Sequence, residues 1–471
     1  MSSIESTAGV AAVAADAPHP RVQAVKRGIL LAYSGPALGL YAIGLPVAVY
    51  LPPFYADDLG LGLTLVGQIF MLCRFFDLAA DLTLGTISDR VRSSFGRRRP
   101  MMALAVPLMC LGAYHMFMPS PGVGVLYVVG WMLVMYAGYA LGVISHMSWG
   151  AELSPDYHQR SRVQGWREMA GSIGMVAVLA LPAVLEQFGD GSKADRIAAM
   201  GWFVIAIFPV GVLIAVLRVP DPARAHENVA HLSIRQAMGT LAKNRLVQRV
   251  LVADLFAGIA PAVASALYIF LVEAVVREPG ITASLLLGYF ISGILGVPLW
   301  LSISYRLGKH WAFAIGAVWN CVIGACFLFV GQGDVALLTA LTLLFGLGYS
   351  SGTFLLRAVM ADVADVDELR TGRNRTGLFY GLLTMTNKIG YALAVGVTYP
   401  ILAAFGFSPQ AAAAAVKTGA EIPGANALLA MYVFVPMAMN LAGAFVMSRF
   451  PLDAKALAEV HRQLALQRDN A

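Results

Sequence analysis

The sequence predicts an all-α membrane protein of twelve transmembrane helices in two pseudo-symmetric six-helix bundles. Three observations predict it. The 471 residues are 58% hydrophobic and only 13% charged, where soluble domains average about 25% charged. Apolar runs of about 20 residues, the length that crosses a bilayer, recur along nearly the whole chain. A dozen such runs cannot be hidden in one soluble core. Finally, the basic residues collect in alternate connections between the runs, as they do when one side of a membrane is cytoplasmic.

Taken in order, the first run covers 28–54. It follows a stretch, 1–25, rich in Ala, Ser and Pro, which lacks the basic start and apolar core of a signal peptide and reads as a flexible tail. The second, 62–87, empties into Arg90, Arg92, Arg97, Arg98 and Arg99. The third and fourth, 101–119 and 124–149, precede Arg160 and Arg162. The fifth and sixth, 164–187 and 197–217, precede Arg224, Arg235, Lys243 and Arg245. The seventh and eighth, 248–275 and 282–304, precede Arg306 and Lys309. The ninth and tenth, 311–331 and 335–359, precede Arg370, Arg373 and Arg375. The eleventh and twelfth cover 376–405 and 425–448. The opposite loops are short and nearly neutral, with Asp57, Asp58, Asp190 and Glu421. This asymmetry predicts a multi-pass protein of the bacterial inner membrane with both termini cytoplasmic.

The longest connection divides six spans from six. It predicts bundles at 26–219 and 246–450, a linker at 220–245 and a cytoplasmic tail at 451–471. Within the linker, HLSIRQAMGTLAKNR reads as a short amphipathic helix at the membrane surface. A weak repeat relates the halves: SDRVRSSFGRRRP follows the second span and SYRLGKHW follows the eighth. Paired halves of this kind place a substrate site between them, near the bilayer midplane.

Several function classes drop out. Cys73, Cys110, Cys321 and Cys326 all lie inside apolar runs, as small hydrophobes and not as a disulfide set or zinc site. The formal charge of +6 belongs to loops on one side, so orientation explains it and no nucleic-acid partner is expected. No protease, kinase or hydrolase signature is present, and the expectation is not an enzyme. GLGYSSG sits inside the tenth run, where glycine serves helix packing and not phosphate binding.

The informative charges lie in RFFDLAADLTLGTISDRVRSSFGRRRP, residues 74–100. A charge near the bilayer centre costs about 2.5–3.5 kcal/mol on insertion scales. Arg74, Asp77 and Asp81 are spaced i, i+3 and i+7 on one helical stripe. An ion pair between Arg74 and one aspartate accounts for a single carboxylate. Two carboxylates one turn apart, facing a water-filled cavity, make an oxygen cage for a small cation or share a proton. The residues suit sodium and proton alike, so the expected co-transported ion is Na+ or H+, with no cofactor and no metal beyond a sodium ion at Asp77 and Asp81.

Gly85, Asp89, Arg90, Gly96, Arg97 and Arg98 fit G-x-x-x-D-R-x-x-x-x-x-G-R-R. This resembles the loop motif of the major facilitator superfamily. More narrowly, the chain resembles the glycoside–pentoside–hexuronide:cation symporters, the melibiose permease-like group of that superfamily. Three blocks carry the resemblance: the 74–100 stretch with its R-x-x-D-x-x-x-D core, WGAELSPDYHQRSRVQGWRE at 149–168, and ADVADVDELRTGRNRTGLFYGLLTMTNKIG at 361–390. They fall at corresponding places of a twelve-helix layout.

The resemblance implies roles. Asp77 and Asp81 match the cation-coupling carboxylates of the second helix. Lys388 matches a helix-eleven lysine near the cation and sugar sites, and Arg167 matches an arginine of helix five. Asp89, Arg90, Arg97 and Arg98, with Asp362 and Asp365, are implied gating charges, although a membrane-side charge anchor would use the same arginines. The departures point elsewhere. The family's sugar carboxylates lie in helices one and four, where this chain offers Tyr41 and an acid-free GYALGVISHMSW with Ser145, His146 and Trp149. With Arg74 these are the expected substrate contacts, and His146 has packing as its alternative role. Arg357, in span ten, either snorkels from within about two turns of the helix end or faces the cavity, where a guanidinium pairs well with an anionic substrate. The expected function is cation-coupled symport of a sugar, glycoside or uronide by alternating access, in a monomer within the lipid bilayer. The alternative is cation-dependent transport of a lysolipid or another amphiphile.

Overall fold

A computed structural model of the chain describes residues 25–90, 95–96, 98–153, 157–187, 192–221, 244–372, 375–452 and 454–469. The expected surface helix at 231–245 and the tail at 1–25 fall almost wholly outside them. The fold is all-helical in its described residues. In chain order the long helices are α1 (Arg27–Ala56), α2 (Leu63–Arg90), α3 (Arg99–Phe117), α4 (Val125–Glu152), α5 (Tyr157–Gln187) and α6 (Lys193–Arg218). There follow α7 (Arg245–Val276), α8 (Thr282–Leu307), α9 (Lys309–Cys326), α10 (Val335–Thr371), α11 (Thr376–Ala404) and α12 (Ala425–Ser448). Eleven described helices are each long and apolar enough to cross a membrane. The eleventh span passes the same test when counted with the short helix Pro409–Thr418, which turns away from it by 62°.

Local chemistry sets several boundaries. Ser192 and Asp195 form a reciprocal capping box at the start of α6. Asn244 accepts hydrogen bonds from the amides of Leu246 and Val247 to open α7. Proline lacks an N–H and crowds the preceding turn, so Pro46, Pro52 and Pro53 loosen α1 into a π turn at Pro46–Tyr50. Gly35 on α1 and Gly211 on α6 lie backbone to backbone, so closely that a β-carbon on Gly211 would overlap the Gly35 carbonyl.

The main departures from the sequence reading are at helix ends. α5 begins at Tyr157 where 164 was expected, and α10 continues from the expected 359 to Thr371. Hydropathy marks where a helix leaves lipid, whereas intrahelical hydrogen bonding persists into water.

The described residues begin and end at one end of the bundle, here the terminal end; the opposite one is the far end. In the first half α1 packs on α5 and α6, α3 on α4 and α6, and α4 on α2. In the second, α7 packs on α11 and α12, α8 on α10, and α9 on α10 and α12. The halves meet where α2 lies on α11 and α5 on α8. One hydrophobic core fills the first half and continues into the far end of the second, through Phe270, Tyr399 and Phe407. A separate core of Val247, Trp300, Phe313, Leu356 and Phe379 fills the terminal end of the second half. The halves thus share an interior at the far end and part towards the terminal end.

Candidate functional site

Contact between α2 and α11 brings the charged stripe of the first half against Lys388 of the second. Asp77 is 1% exposed. Lys388 Nζ donates to Asp77 Oδ2 at 2.8 Å and to Asp81 Oδ2 at 2.5 Å. Arg74 Nη1 lies 3.5 Å from Asp77 Oδ2. Two carboxylates are thereby balanced by two cations, one of them supplied by the other half. The balance is electrical but not complete in hydrogen bonding, because Asp77 Oδ1 is buried with no partner among the described residues. A buried carboxylate oxygen without a donor is costly, and it is an open acceptor in the middle of the molecule. Arg74 also sits over the Tyr136 ring, 5.4 Å from its centre, a cation–π contact. Beside it Tyr136, Tyr139 and Tyr391 line a cavity of ≈ 60 Å³ with Phe70 and Val395.

A second group lies on α1 and α5. Tyr41 donates its hydroxyl to Glu168 Oε1 at 2.7 Å, and Arg167 Nη1 donates to the same oxygen at 3.1 Å. The Arg167 guanidinium lies 5.5 Å from the Tyr41 ring centre and is itself buried. Tyr41 is within electrostatic reach of Tyr139, and Tyr139 of Lys388, Arg74, Asp77 and Asp81. The two groups are neighbours along one wall. A third group belongs to the second half. Asp254, buried on α7, accepts from the Thr386 hydroxyl of α11 at 2.6 Å. Arg357 on α10 is within electrostatic reach of Asp254 and Tyr349. Its guanidinium is exposed and has no hydrogen-bond or ion-pair partner among the described residues.

Three expected substrate contacts lie in the interior. Ser145, His146 and Trp149 are 0% exposed in the interior of the first half. The His146 ring lies tilted against that of Tyr33, 4.4 Å between centres, its Nε2 lies 2.7 Å from the Tyr33 carbonyl, and Tyr33 donates back to the His146 carbonyl at 2.8 Å. Trp149 donates to the Pro220 carbonyl at 2.9 Å. Polar groups in an apolar run either face water or find partners inside; here His146 binds α1 and Trp149 the segment after α6, while Ser145 Oγ is buried with no hydrogen-bond partner among the described residues. Arg167 likewise stands behind Glu168 and not at the cavity surface.

Of the expected gating charges, Arg97 and the side chains of Asp89 and Arg90 lie outside the described residues. Arg98 pairs with Glu152 at 2.7 Å, from the start of α3 to the end of α4. At the corresponding place in the second half Lys309, opening α9, donates to both oxygens of Asp362 on α10 at 2.7 Å. Each of these pairs stays within its own half. Asp365 is half-buried on the same helix. Asp367, not singled out from sequence, is buried and binds Arg375 at 2.8 Å.

The far end is held shut across the halves. Lys193 of α6 lies 2.8 Å from Glu273 of α7 and 3.6 Å from Asp57. Glu186, near the end of α5, reaches over to the start of α8, where the amides of Ala283 and Ser284 donate to it at 3.0 and 3.1 Å. Arg196 supports it at 3.2 Å. The first N–H groups of a helix lack partners and carry partial positive charge, so a carboxylate is held there strongly. Beside this seam, partial burial pushes the Asp58 carboxyl up to about 6, against the pull of Lys193 and with Asp57 and Glu273 adding to the rise. Sequence reading missed Glu168 and Glu186, and marked Asp254 only as an extra charge in span seven. The signals available were an acid directly after Arg167 and lone acids within otherwise apolar runs.

Comparison with known proteins gives a consistent picture. Residues 32–454 match a family model described as MFS/sugar transport protein. The chain is 24% identical over 426 residues to the glucuronide carrier protein homolog of Escherichia coli (strain K12), covering 88% of this chain and 90% of that protein. It is 23% identical over 407 residues to the isoprimeverose transporter of Lactiplantibacillus pentosus, covering 83% and 81%. Among solved structures, a D-xylose-proton symporter superposes with a TM-score of 0.62 at 15% identity, covering 91% of this chain and 98% of that one. The nucleoside transporter NupG superposes with a TM-score of 0.66 at 12% identity, covering 91% and 100%. At such identities the structural likeness speaks for the fold alone.

Proposed function

Since the chain belongs to the MFS/sugar transport protein family, we infer that it is a cation-coupled sugar transporter of the membrane, not an enzyme, and that it works by alternating access. The observation that carries this reading is the Lys388 ammonium lodged between Asp77 and Asp81 across the interface between halves. A cation entering from water competes with that ammonium. Asp77 Oδ1, buried without a donor among the described residues, is a ready acceptor for such an ion. Sodium would be held by the carboxylate oxygens; a proton would neutralise one of them. Either one weakens the bridge from Lys388 and frees the halves to move past each other. The shut far end and the divided core support a state whose cavity opens towards the terminal end, and the one-sided basic loops support placing that end in the cytoplasm. The bundles 26–219 and 246–450 are the units that move.

The substrate is read as a carbohydrate, as the names of the curated relatives indicate for those proteins; these names do not favour the amphiphile alternative. The exposed, unpartnered Arg357 guanidinium favours an anionic glycoside such as a uronide. The test is uptake by proteoliposomes, screening glycosides and uronides with a sodium gradient, with a proton gradient and with neither. Accumulation of a uronide that collapses with one of the two gradients is expected. Uptake of every sugar indifferent to both gradients would sink the coupling, and equal inhibition by a glycoside and its uronide would remove Arg357 from recognition.

A further inference from the structure

Glu168 is a carboxylate held ready but only half used. Its side chain is 51% exposed, although Arg167 behind it is buried. Both contacts, from Tyr41 at 2.7 Å and Arg167 at 3.1 Å, go to Oε1. Oε2 has no partner among the described residues. A carboxylate kept for structure alone gains by burying both oxygens in its partners, as Glu186 does at the start of α8. A cation at Oε2 would face the Arg167 guanidinium on the same group, which argues against a second ion site. What remains is an acceptor with two lone pairs, fixed in direction on a half-exposed side chain.

The rest of that wall lacks such a group. Ser145, His146 and Trp149 are turned into the interior, and the carboxylates of α2 are engaged with Lys388. We propose that Glu168 is the substrate-binding carboxylate of the first half, taking neighbouring hydroxyls of a sugar ring through Oε2 while Arg357 of the second half takes the substrate's acid. This rests on the transport reading above and adds to it an orientation: hydroxyl-rich ring on α5, anionic group on α10. Tyr41 and Arg167 act as positioning residues, both by holding Oε1 and so aiming the carboxylate.

The experiment is counterflow in proteoliposomes with methyl β-D-glucuronide and its monodeoxy analogues. In the native protein, removing the hydroxyl bound by Glu168 should raise half-saturation about ten-fold, the scale of one charge-assisted hydrogen bond. In Glu168→Gln, which keeps an oxygen for Tyr41 and Arg167 but loses the charge, the same deletion should matter less than about three-fold. Preference for the uronide over methyl β-D-glucoside should persist, because Arg357 is untouched. Glu168→Asp, which withdraws the carboxylate by one methylene, should show the same loss and serves if the glutamine variant does not fold. An unchanged deletion penalty in either folded variant, with native counterflow intact, overturns the role of Glu168. No native counterflow of any glycoside or uronide overturns the transport reading, and this inference with it.

Discussion

Replacing Lys388 with alanine tests whether the cation and the ammonium compete. In the native protein two charge-assisted hydrogen bonds, at 2.8 and 2.5 Å, hold the ammonium between the carboxylates. Each such bond is worth roughly 1.5–3 kcal/mol, so a cation that displaces both works against about 3 kcal/mol at the low end of that range. At about 1.36 kcal/mol per decade, that corresponds to some two decades in affinity. Lys388→Ala also leaves Asp77 and Asp81 with Arg74 as their nearby cation, and their mutual repulsion draws a positive ion further in. Both effects act in one direction, and the variant should bind its coupling ion about 100-fold more tightly, while losing gradient-driven accumulation. Calorimetric or fluorescence titration of purified protein reads this directly, with sodium at constant pH and with acid in sodium-free buffer. Half-saturation unchanged or weaker for both ions would refute the competition and leave Lys388 as a structural bridge.

Four further outcomes are expected. Asp77→Asn should abolish accumulation while sparing downhill exchange, because it removes the open acceptor and not the sugar cavity; full accumulation would take Asp77 out of coupling. Arg357→Gln should cost a uronide about 10–100-fold in half-saturation relative to its neutral glycoside, the equivalent of roughly 1.5–3 kcal/mol, read by competition in uptake. Glu186→Ala removes the cap of α8 and strands Arg196. Losing a helix cap costs about 1–2 kcal/mol, so a thiol placed at the cavity-lining Val395 should react about 5–30-fold faster with a reagent applied from the far side. Asp58, surrounded by Asp57, Lys193 and Glu273, binds its proton more tightly in the shut far end, at about 6, than the ordinary 3.8. Closure is therefore favoured as pH falls through about 6 and loses that advantage above it; the rate of the same thiol, divided by its thiolate fraction, should be lower at about pH 5 than at about pH 7.5, and Asp58→Asn should flatten the corrected difference.

What the sequence disclosed, and what it withheld, follows from how membrane chains spend polarity. Arg74, Asp77, Asp81 and Lys388 stand out because a charge within an apolar run is expensive, and their assembly could be anticipated from the two helices alone. His146 and Ser145 are polar in the same way, but one residue step turns a helix by about 100°, and only the position of Tyr33 reveals that they face inward. Arg98 and Asp362 were legible as charges at helix ends; that each would bind a partner inside its own half was not, since neither spacing nor composition names Glu152 or Lys309. Glu168 escaped because its neighbours Gln164 and Arg167 made the start of α5 look like an ordinary wet helix end, and the phenol that orients it comes from a helix far earlier in the chain. The helix limits erred where hydropathy and hydrogen bonding diverge, as at Thr371.

The seam between Glu186 and α8 has an evolutionary consequence. Its receiving side consists chiefly of main-chain amides of Ala283 and Ser284, with the Ser284 hydroxyl at 3.5 Å as the one long side-chain contact, and every residue except proline supplies an amide. Exchanges at 283 and 284 therefore leave the main part of the lock in place, whereas an exchange at position 186 does not. Pairwise covariation, which detects contacts through compensating exchanges of side chains, would leave no trace of this one. Among distant relatives the contact should survive as a single retained acid facing a variable helix start, and a proline arriving at either amide would break it as surely as losing the acid.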